Sequence, residues 1–221
     1  MNEQAKQLIK DHYDFDDLVA LMNLLRSPDG CAWDRAQTHE SIRKNLLEEC
    51  CEVLEGIDNR DPKLLCEELG DLLLQILFHA KMSEEQGEFS IDDVVDGICK
   101  KMVSRHPHVF ADQDASDPDS AYRHWEEIKA KEKKDETLSS SMNRIARTLP
   151  SLMRTQKLIK KAQQAGVERQ GEIRTAQELK TEYLTLCRNA QTSGIDLEEL
   201  GYFANEEYIR EKTGADKNEN R

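Results

Sequence analysis

The sequence predicts an all-α protein, and three observations carry that prediction. Period-2 alternation never persists for the length of a strand, and no Asn-Gly or Asp-Gly pair joins two β-branched runs. Apolar residues instead recur at three- and four-residue spacing along most of the chain. The composition agrees: 34% charged and 5% aromatic residues, with ten Gly and five Pro in 221, suit helices and exclude collagen, mucin and sandwich-type chains.

The elements follow in order. A first helix is expected over Asp14–Arg26, with Leu18, Leu21, Leu24 and Leu25 on one side. Ser27-Pro-Asp-Gly-Cys-Ala-Trp-Asp34 is a loop by its turn residues. A second helix runs from Thr38 to Ile57, striped by Ile42, Leu46, Val53 and Ile57. Asp61-Pro62 supplies an N-cap followed by Pro at the first helical position, opening a third helix to Glu85. Ser90 with Asp93 resembles a capping box and starts a fourth helix that ends at Arg105, before His106-Pro107. His106 and His108 fit an ordinary turn around Pro107 better than a metal pair. The acidic stretch 111–120 lacks the central Gly and terminal Glu of a calcium loop and reads as solvated. A short helix from Ala121 to Lys134 follows, then a polar stretch over 133–141 as the domain boundary, then two or three more helices and a frayed end from Gly214.

The formal charge is −13, from 31 Lys and Arg against 44 Asp and Glu. A sequence-independent nucleic-acid binder carries the opposite sign, so nucleic acid is not the expected partner, and an acidic chain that binds phosphates must bring cations. No run of about 18 apolar residues marks a membrane span, and the first seventeen residues lack the apolar core of a secretory leader. Six cysteines at 31, 50, 51, 66, 99 and 187 show no Cys-x-x-Cys spacing, so they are expected as buried or half-buried free thiols of a reducing cytoplasm.

Two helices hold unusual carboxylates, in Leu46-Leu-Glu48-Glu49-Cys-Cys-Glu52 and in Glu67-Glu68-Leu-Gly70-Asp71. Glu49 and Glu52 fall about 60° apart on a helix and Glu48 and Glu52 about 40°. Glu68 and Asp71 repeat the i,i+3 relation. A short connection makes the two helices antiparallel neighbours, so their middles can face each other and gather four or five acids among leucines. Such a cluster is costly without a cation, and all-oxygen ligands point to Mg²⁺ or Mn²⁺ rather than zinc. Gly70, inside a strong helix, marks close packing or a functional approach.

E-E-x-x-E followed at this spacing by E-x-x-D resembles the MazG-type, all-α nucleoside triphosphate pyrophosphohydrolases. The resemblance extends through Gly30-Cys-Ala-Trp33-Asp34-Arg-Ala-Gln37-Thr38, Lys101-x-x-x-Arg105-His-Pro-His-Val-Phe110 and Trp125-Glu-x-Ile-Lys129, covering residues 15 to 133, with Ala32 where the family usually has Pro. It implies a helical bundle, cleavage of a nucleoside triphosphate to monophosphate and pyrophosphate by metal-activated water at the α-phosphate, and a homodimer. By family position Glu49, Glu52, Glu68 and Asp71 are the Mg²⁺ ligands, with Mn²⁺ a possible substitute, and Glu48 is the candidate that orients or deprotonates the water. Lys101 and Arg105 are implied phosphate contacts, with Trp125 and Lys129 holding the nucleotide. Trp33 either stacks on the base or anchors its loop.

The chain is expected to divide into a catalytic domain, 1–134, a linker, 135–141, and a degenerate, shortened second helical repeat, 142–221. In that repeat Glu178 and Glu182 correspond to Glu48 and Glu52, Leu179 takes the place of Glu49, and Tyr202 that of Asp71. Two other function classes compete. A di-iron or di-manganese carboxylate protein needs Glu-x-x-His, which neither motif supplies. A non-catalytic nucleotide-sensing or partner-binding module would have lost acids that the first motif set retains.

Overall fold

The computed structural model describes residues 3–111, 117–132 and 136–214. Residues 112–116 of the acidic stretch, 133–135 of the expected linker and 215–221 of the expected frayed end lie outside the described residues. Every regular element among the described residues is a helix. The chain forms two compact units, Met1–Ile128 and Lys129–Arg221.

In the first unit, a short helix α1 (Glu3–Gln7) precedes α2 (Phe15–Arg26). Asp14 and Asp17 cap α2 reciprocally, each carboxylate accepting the other's backbone N–H. The expected loop after it contains one helical turn, α3 (Ala32–Ala36), so the loop reading is corrected there. Turn-forming Pro28, Asp29 and Gly30 hid it. The next helix, α4 (Arg43–Asp58), begins five residues later than expected. Thr38 and Ser41 satisfy each other's backbone N–H through their hydroxyls and so close a turn of their own ahead of the helix. Asp61 caps α5 (Pro62–Glu85) by accepting from the N–H of Lys63 and Leu64. Ser90 and Asp93 form the expected capping box on α6 (Ile91–Arg105). A single turn α7 (Pro107–Phe110) and then α8 (Pro118–Lys131) follow, the latter running past the end of the unit.

α4 and α5 pack as a helical hairpin. Gly56 makes it tight: a Cβ there would lie 3.0 Å from the backbone N and Cα of Leu65. Arg60 turns the chain at φ 52°, a left-handed value that side chains other than Gly adopt at a cost. A Cβ at Gly70, by contrast, would meet nothing within 4 Å, so the close packing expected there belongs to Gly56. The core joins Met22, Ile42, Leu77, Phe78 and Met82 under the C-terminal half of α5. The other half of the hairpin carries the acids and is covered less: Leu47, Leu54, Ile57 and Leu69 are all at least half exposed.

The second unit holds α9 (Leu138–Asn143), α10 (Ser151–Gln164), α11 (Ala176–Ser193) and α12 (Leu197–Thr213). α9 lies where a polar linker was expected, because Thr137 caps it at the N–H of Ser140 and Met142 enters a core with Leu158, Ala162 and Ile209. Glu198 of α12 caps α10, accepting from Ser151 N at 2.6 Å and Ser151 Oγ at 2.8 Å. Gly201 permits that approach, since a Cβ there would lie 2.5 Å from Ser151 Oγ. Buried Arg154 pairs with Glu206 at 2.7 Å.

All six cysteines are free, but Cys50, Cys51, Cys66 and Cys99 are exposed rather than buried, because they lie on helix faces of the first unit away from its core. No helix among the described residues is long and apolar enough to cross a membrane.

Candidate functional site

The hairpin brings three of the expected metal ligands together. Glu49 on α4 and Glu68 and Asp71 on α5 each offer a carboxylate oxygen, and the three oxygens lie within 4.8 Å of one another. Helical pitch explains the set: Glu68 and Asp71 share a face of α5 at i,i+3, and the hairpin turns Glu49 toward that face. Glu52 stands beside them, close enough for its charge to act on both Glu49 and Glu68.

The electrostatics are those of an anionic cluster. Partial burial raises the Glu49 carboxyl above its ordinary value, and the charges of Asp71, Glu52 and Glu68 push it the same way. Burial raises Glu68 as well, followed by Glu52, Asp71 and Glu67. Only oxygen donors converge, and they are hard, anionic and half-open to solvent on an uncovered hairpin face. That donor set fits a hard divalent cation and disfavours zinc.

The remaining site residues are placed as follows. Glu48 is exposed, on α4, and pairs with Lys44 one turn earlier at 3.3 Å. Lys101 is exposed on α6, and Arg105 is half-buried at that helix's last turn. The Arg105 guanidinium sits over the Trp125 ring, 5.4 Å from its centroid, and Tyr122 stacks near Trp125 at 6.2 Å. Lys129 follows Trp125 by one turn of α8 and begins the second unit. Trp33 is 62% exposed on α3. Its segment is fixed at several points: Arg26 Nη1 donates to Asp34 O at 2.5 Å, Gln37 Nε2 donates to Trp33 O at 2.8 Å, and Arg26 is itself held bidentately by Glu85.

Sequence reasoning missed three of these relations. The Lys44–Glu48 pair was legible as an i,i+4 spacing. Tyr122 beside Trp125 was legible as i,i+3. Arg26–Glu85, 59 residues apart, leaves no local trace.

In the second unit the acids are engaged structurally. Glu178 closes a capping box with Thr175 at the start of α11, and Glu182 pairs with Arg174 at 2.6 Å. Leu179 and Tyr202 are 52% and 38% exposed. A cavity of ≈ 180 Å³ is lined in part by Arg147, Arg154, Glu198 and Tyr202. Its Glu198 oxygens are already taken by Ser151.

An all-α unit whose helical hairpin presents a cluster of carboxylates defines the class of protein. Residues 37–110 match the MazG nucleotide pyrophosphohydrolase domain, and this part of the chain is a MazG domain. The chain is 44% identical over 154 residues to the nucleoside triphosphate pyrophosphohydrolase/pyrophosphatase MazG of Thermotoga maritima, covering 70% of this chain and 58% of that relative. It is 42% identical over 154 residues to the nucleoside triphosphate pyrophosphohydrolase of Escherichia coli K12, covering 69% and 59%. It is also 45% identical over 149 residues to the uncharacterized protein YabN of Bacillus subtilis, covering 67% and 30%. The chain thus spans less than two thirds of the length of each of these relatives.

Proposed function

We propose that this chain hydrolyses nucleoside triphosphates to monophosphate and pyrophosphate, using Mg²⁺, or Mn²⁺ in its place, held by Glu49, Glu52, Glu68 and Asp71. The observation that carries the reading is the convergence of Glu49, Glu68 and Asp71 oxygens within 4.8 Å. The ion supplies charge neutralisation of the triphosphate and activation of a water for attack on the α-phosphorus. The protein's own part is to hold the four carboxylates in register across the hairpin. Glu48, outside the trio and free of the core, is the acid available to take the water's proton. Lys101 and Arg105, one turn apart on α6, donate to phosphate oxygens. Trp125 supports Arg105 from below its guanidinium plane and, with Lys129, holds the nucleotide. Trp33 is the aromatic surface offered to the base.

Two further assignments accompany this. A second copy of the chain covers the exposed apolar residues of α4, α5 and α6, among them Leu47, Leu54, Leu69, Val95 and Ile98, which a lone unit leaves wet. Residues 142–221 are a degenerate repeat without a metal set of their own, working in the cytoplasm as part of the same polypeptide.

The test is pyrophosphate release by the purified full chain with Mg²⁺ and a panel of nucleoside triphosphates. Metal-dependent release from at least one of them is expected, abolished in Asp71→Asn. Absence of release across the panel, or full activity of Asp71→Asn in saturating Mg²⁺, overturns the reading.

A further inference from the structure

Two histidines outside the acid cluster meet nitrogen to nitrogen. His39 lies in the turn before α4 and His79 on α5, with their Nδ1 atoms 2.7 Å apart. The ring centroids are 5.0 Å apart and the planes differ by 6°. That centroid separation equals the N–N distance plus the two centroid-to-nitrogen radii, which leaves no room for a vertical offset. The rings therefore lie edge to edge in nearly one plane, each Nδ1 aimed at the other, rather than face to face.

A contact of this length between two ring nitrogens requires one proton between them, and only one. The outer nitrogens decide which ring carries it. His39 Nε2 faces Ser83 Oγ at 3.5 Å, whereas His79 Nε2 is buried with no hydrogen-bond partner among the described residues. An orphaned buried N–H is the rarer and costlier state, so His79 Nε2 is bare. His79 Nδ1–H then donates to His39 Nδ1, and His39 Nε2–H points to Ser83. A further proton has no good place. On His79 Nε2 it lacks an acceptor, and on His39 Nδ1 it faces the N–H of His79. Burial holds the His79 ring below its ordinary value, with the charge of His39 acting in the same direction.

We propose that His39 and His79 are positioning residues: their shared proton ties the Thr38–Ser41 turn to α5, setting where α4 begins, and protonation of the pair releases that turn. Ile42, the residue that follows the turn and precedes α4, is 3% exposed in the core, so the turn fixes the helix that carries Glu48, Glu49 and Glu52 against α5. The charged neighbours on the packed elements are largely engaged elsewhere. On α5, Lys81 pairs with Glu84, and Glu85 with Arg26 of α2. At the head of α4, Lys44 pairs with Glu48 and Arg43 is exposed. At the start of α6, Asp93 is bound by Ser90 beside exposed Asp92. Glu40, next to His39, is held low first by its own backbone N–H and then by Thr38.

The consequence has a definite sign. A histidine whose folded value lies below the unfolded 6.5 stays neutral while the unfolded chain takes up a proton. Folding stability, and the placement of α4, therefore decline as pH falls through 6.5 and level off once the folded pair itself is protonated.

The kinetic arm of the test rests on the proposed hydrolysis, and the spectroscopic arm does not. Imidazole ¹⁵N resonances of the full chain are followed from about pH 8 to about pH 5. The expected spectrum has a protonated Nδ1 and bare Nε2 on His79, the reverse on His39, and a His79 midpoint below the ordinary one. In His39→Gln the His79 midpoint moves back up. The ratio of kcat/KM at about pH 7.5 to that at about pH 5.5 shrinks at least threefold in this variant, while activity near pH 8 stays within about threefold of the parent. His79 titrating at its ordinary value in the parent, or an acid limb identical in parent and variant, overturns the proposal. A protein that releases no pyrophosphate at any pH overturns the hydrolase reading instead, leaving the spectrum to judge the histidine pair.

Discussion

Glu49 of α4 and Asp71 of α5 hold carboxylate oxygens within 4.8 Å of each other, on two helices joined by only Asn59, Arg60 and Asp61. Two like charges so close repel. The arrangement persists because Gly56 lets the helices approach and the core under the C-terminal half of α5 fixes their register. That repulsion is what the proposed dication would relieve.

The first prediction tests that repulsion by substitution. Glu52→Gln and Asp71→Asn keep the side-chain shape and remove a charge, so each is expected to lower turnover on the order of 10²-fold or more, the scale of losing one electrostatic partner of a transition state. Melting temperatures in metal-free buffer should hold or rise. A simultaneous fall in activity and melting temperature would assign the loss to misfolding.

The second concerns metal and pH together. Glu49 and Glu68 have folded values raised above 4.5, so the folded protein binds more protons than the unfolded chain just above that pH. Their contribution therefore turns against folding as pH rises through and beyond 4.5, and a bound dication relieves it. The rise in melting temperature caused by Mg²⁺ is expected to be larger near neutral pH than at about pH 5, because fewer protons must be displaced. Equal rises at both would place the ion elsewhere.

The part of the fold legible in the sequence is the part written locally. Asp61-Pro62 and Ser90 with Asp93 announce α5 and α6 because a cap and its partner lie within three residues. Thr38 and Ser41 mislead for the same reason: both are cap residues, and the structure spends them on each other, leaving α4 to start at Arg43 without a side-chain cap. Gly70 and Gly56 look alike in sequence, and only the hairpin's axis decides which one faces Leu65. Within the site, helical spacing identified Glu68 with Asp71 as a pair. It did not rank Glu49 above Glu48, which differ by about 100° on the helix and by whether they face α5 or solvent. The His39–His79 contact joins residues 40 apart, which no periodicity reports.

Asp61 offers a test of the hairpin itself. Its carboxylate accepts from two backbone N–H groups at the start of α5, so Asp61→Ala should cost about 1 kcal/mol by chemical denaturation. Asp61→Ser should recover most of it, because a hydroxyl also caps. Equal losses in both variants would show that the carboxylate's cap is not what stabilises the turn.

Arg105 is predicted to act on substrate rather than on metal. Its guanidinium sits over the Trp125 ring, 5.4 Å from the centroid, and both residues lie on helices other than the acids' own hairpin. Arg105→Ala and Lys101→Ala should each lower kcat/KM by about tenfold or more, equivalent to about 1.4 kcal/mol, with the Mg²⁺ concentration for half-maximal rate unchanged. Trp125→Leu should reproduce part of the Arg105 defect. A shifted Mg²⁺ requirement would instead tie these cations to the metal site.

The last prediction separates the two units. In the proposed repeat Glu182 and Glu199 take the places of Glu52 and Glu68, but Leu179 and Tyr202 offer no carboxylate at the other two, and Glu182 is drawn to Arg174. A hard dication left with two carboxylates keeps most of its water and binds weakly. Glu182→Gln and Glu199→Gln in the full chain are therefore expected to leave pyrophosphate release within about twofold of the parent, whereas Glu68→Gln removes most of it, following the general rule that only interactions made in the transition state govern turnover. Gly201→Ala is the structural counterpart: its Cβ must displace Ser151 Oγ, 2.5 Å away, and with it the Glu198 cap of α10. It should lower the melting temperature without changing the Mg²⁺ dependence of the rate. If Glu199→Gln were as damaging as Glu68→Gln, the second unit would be contributing ligands after all, and the chemistry could not be assigned to the α4–α5 hairpin alone.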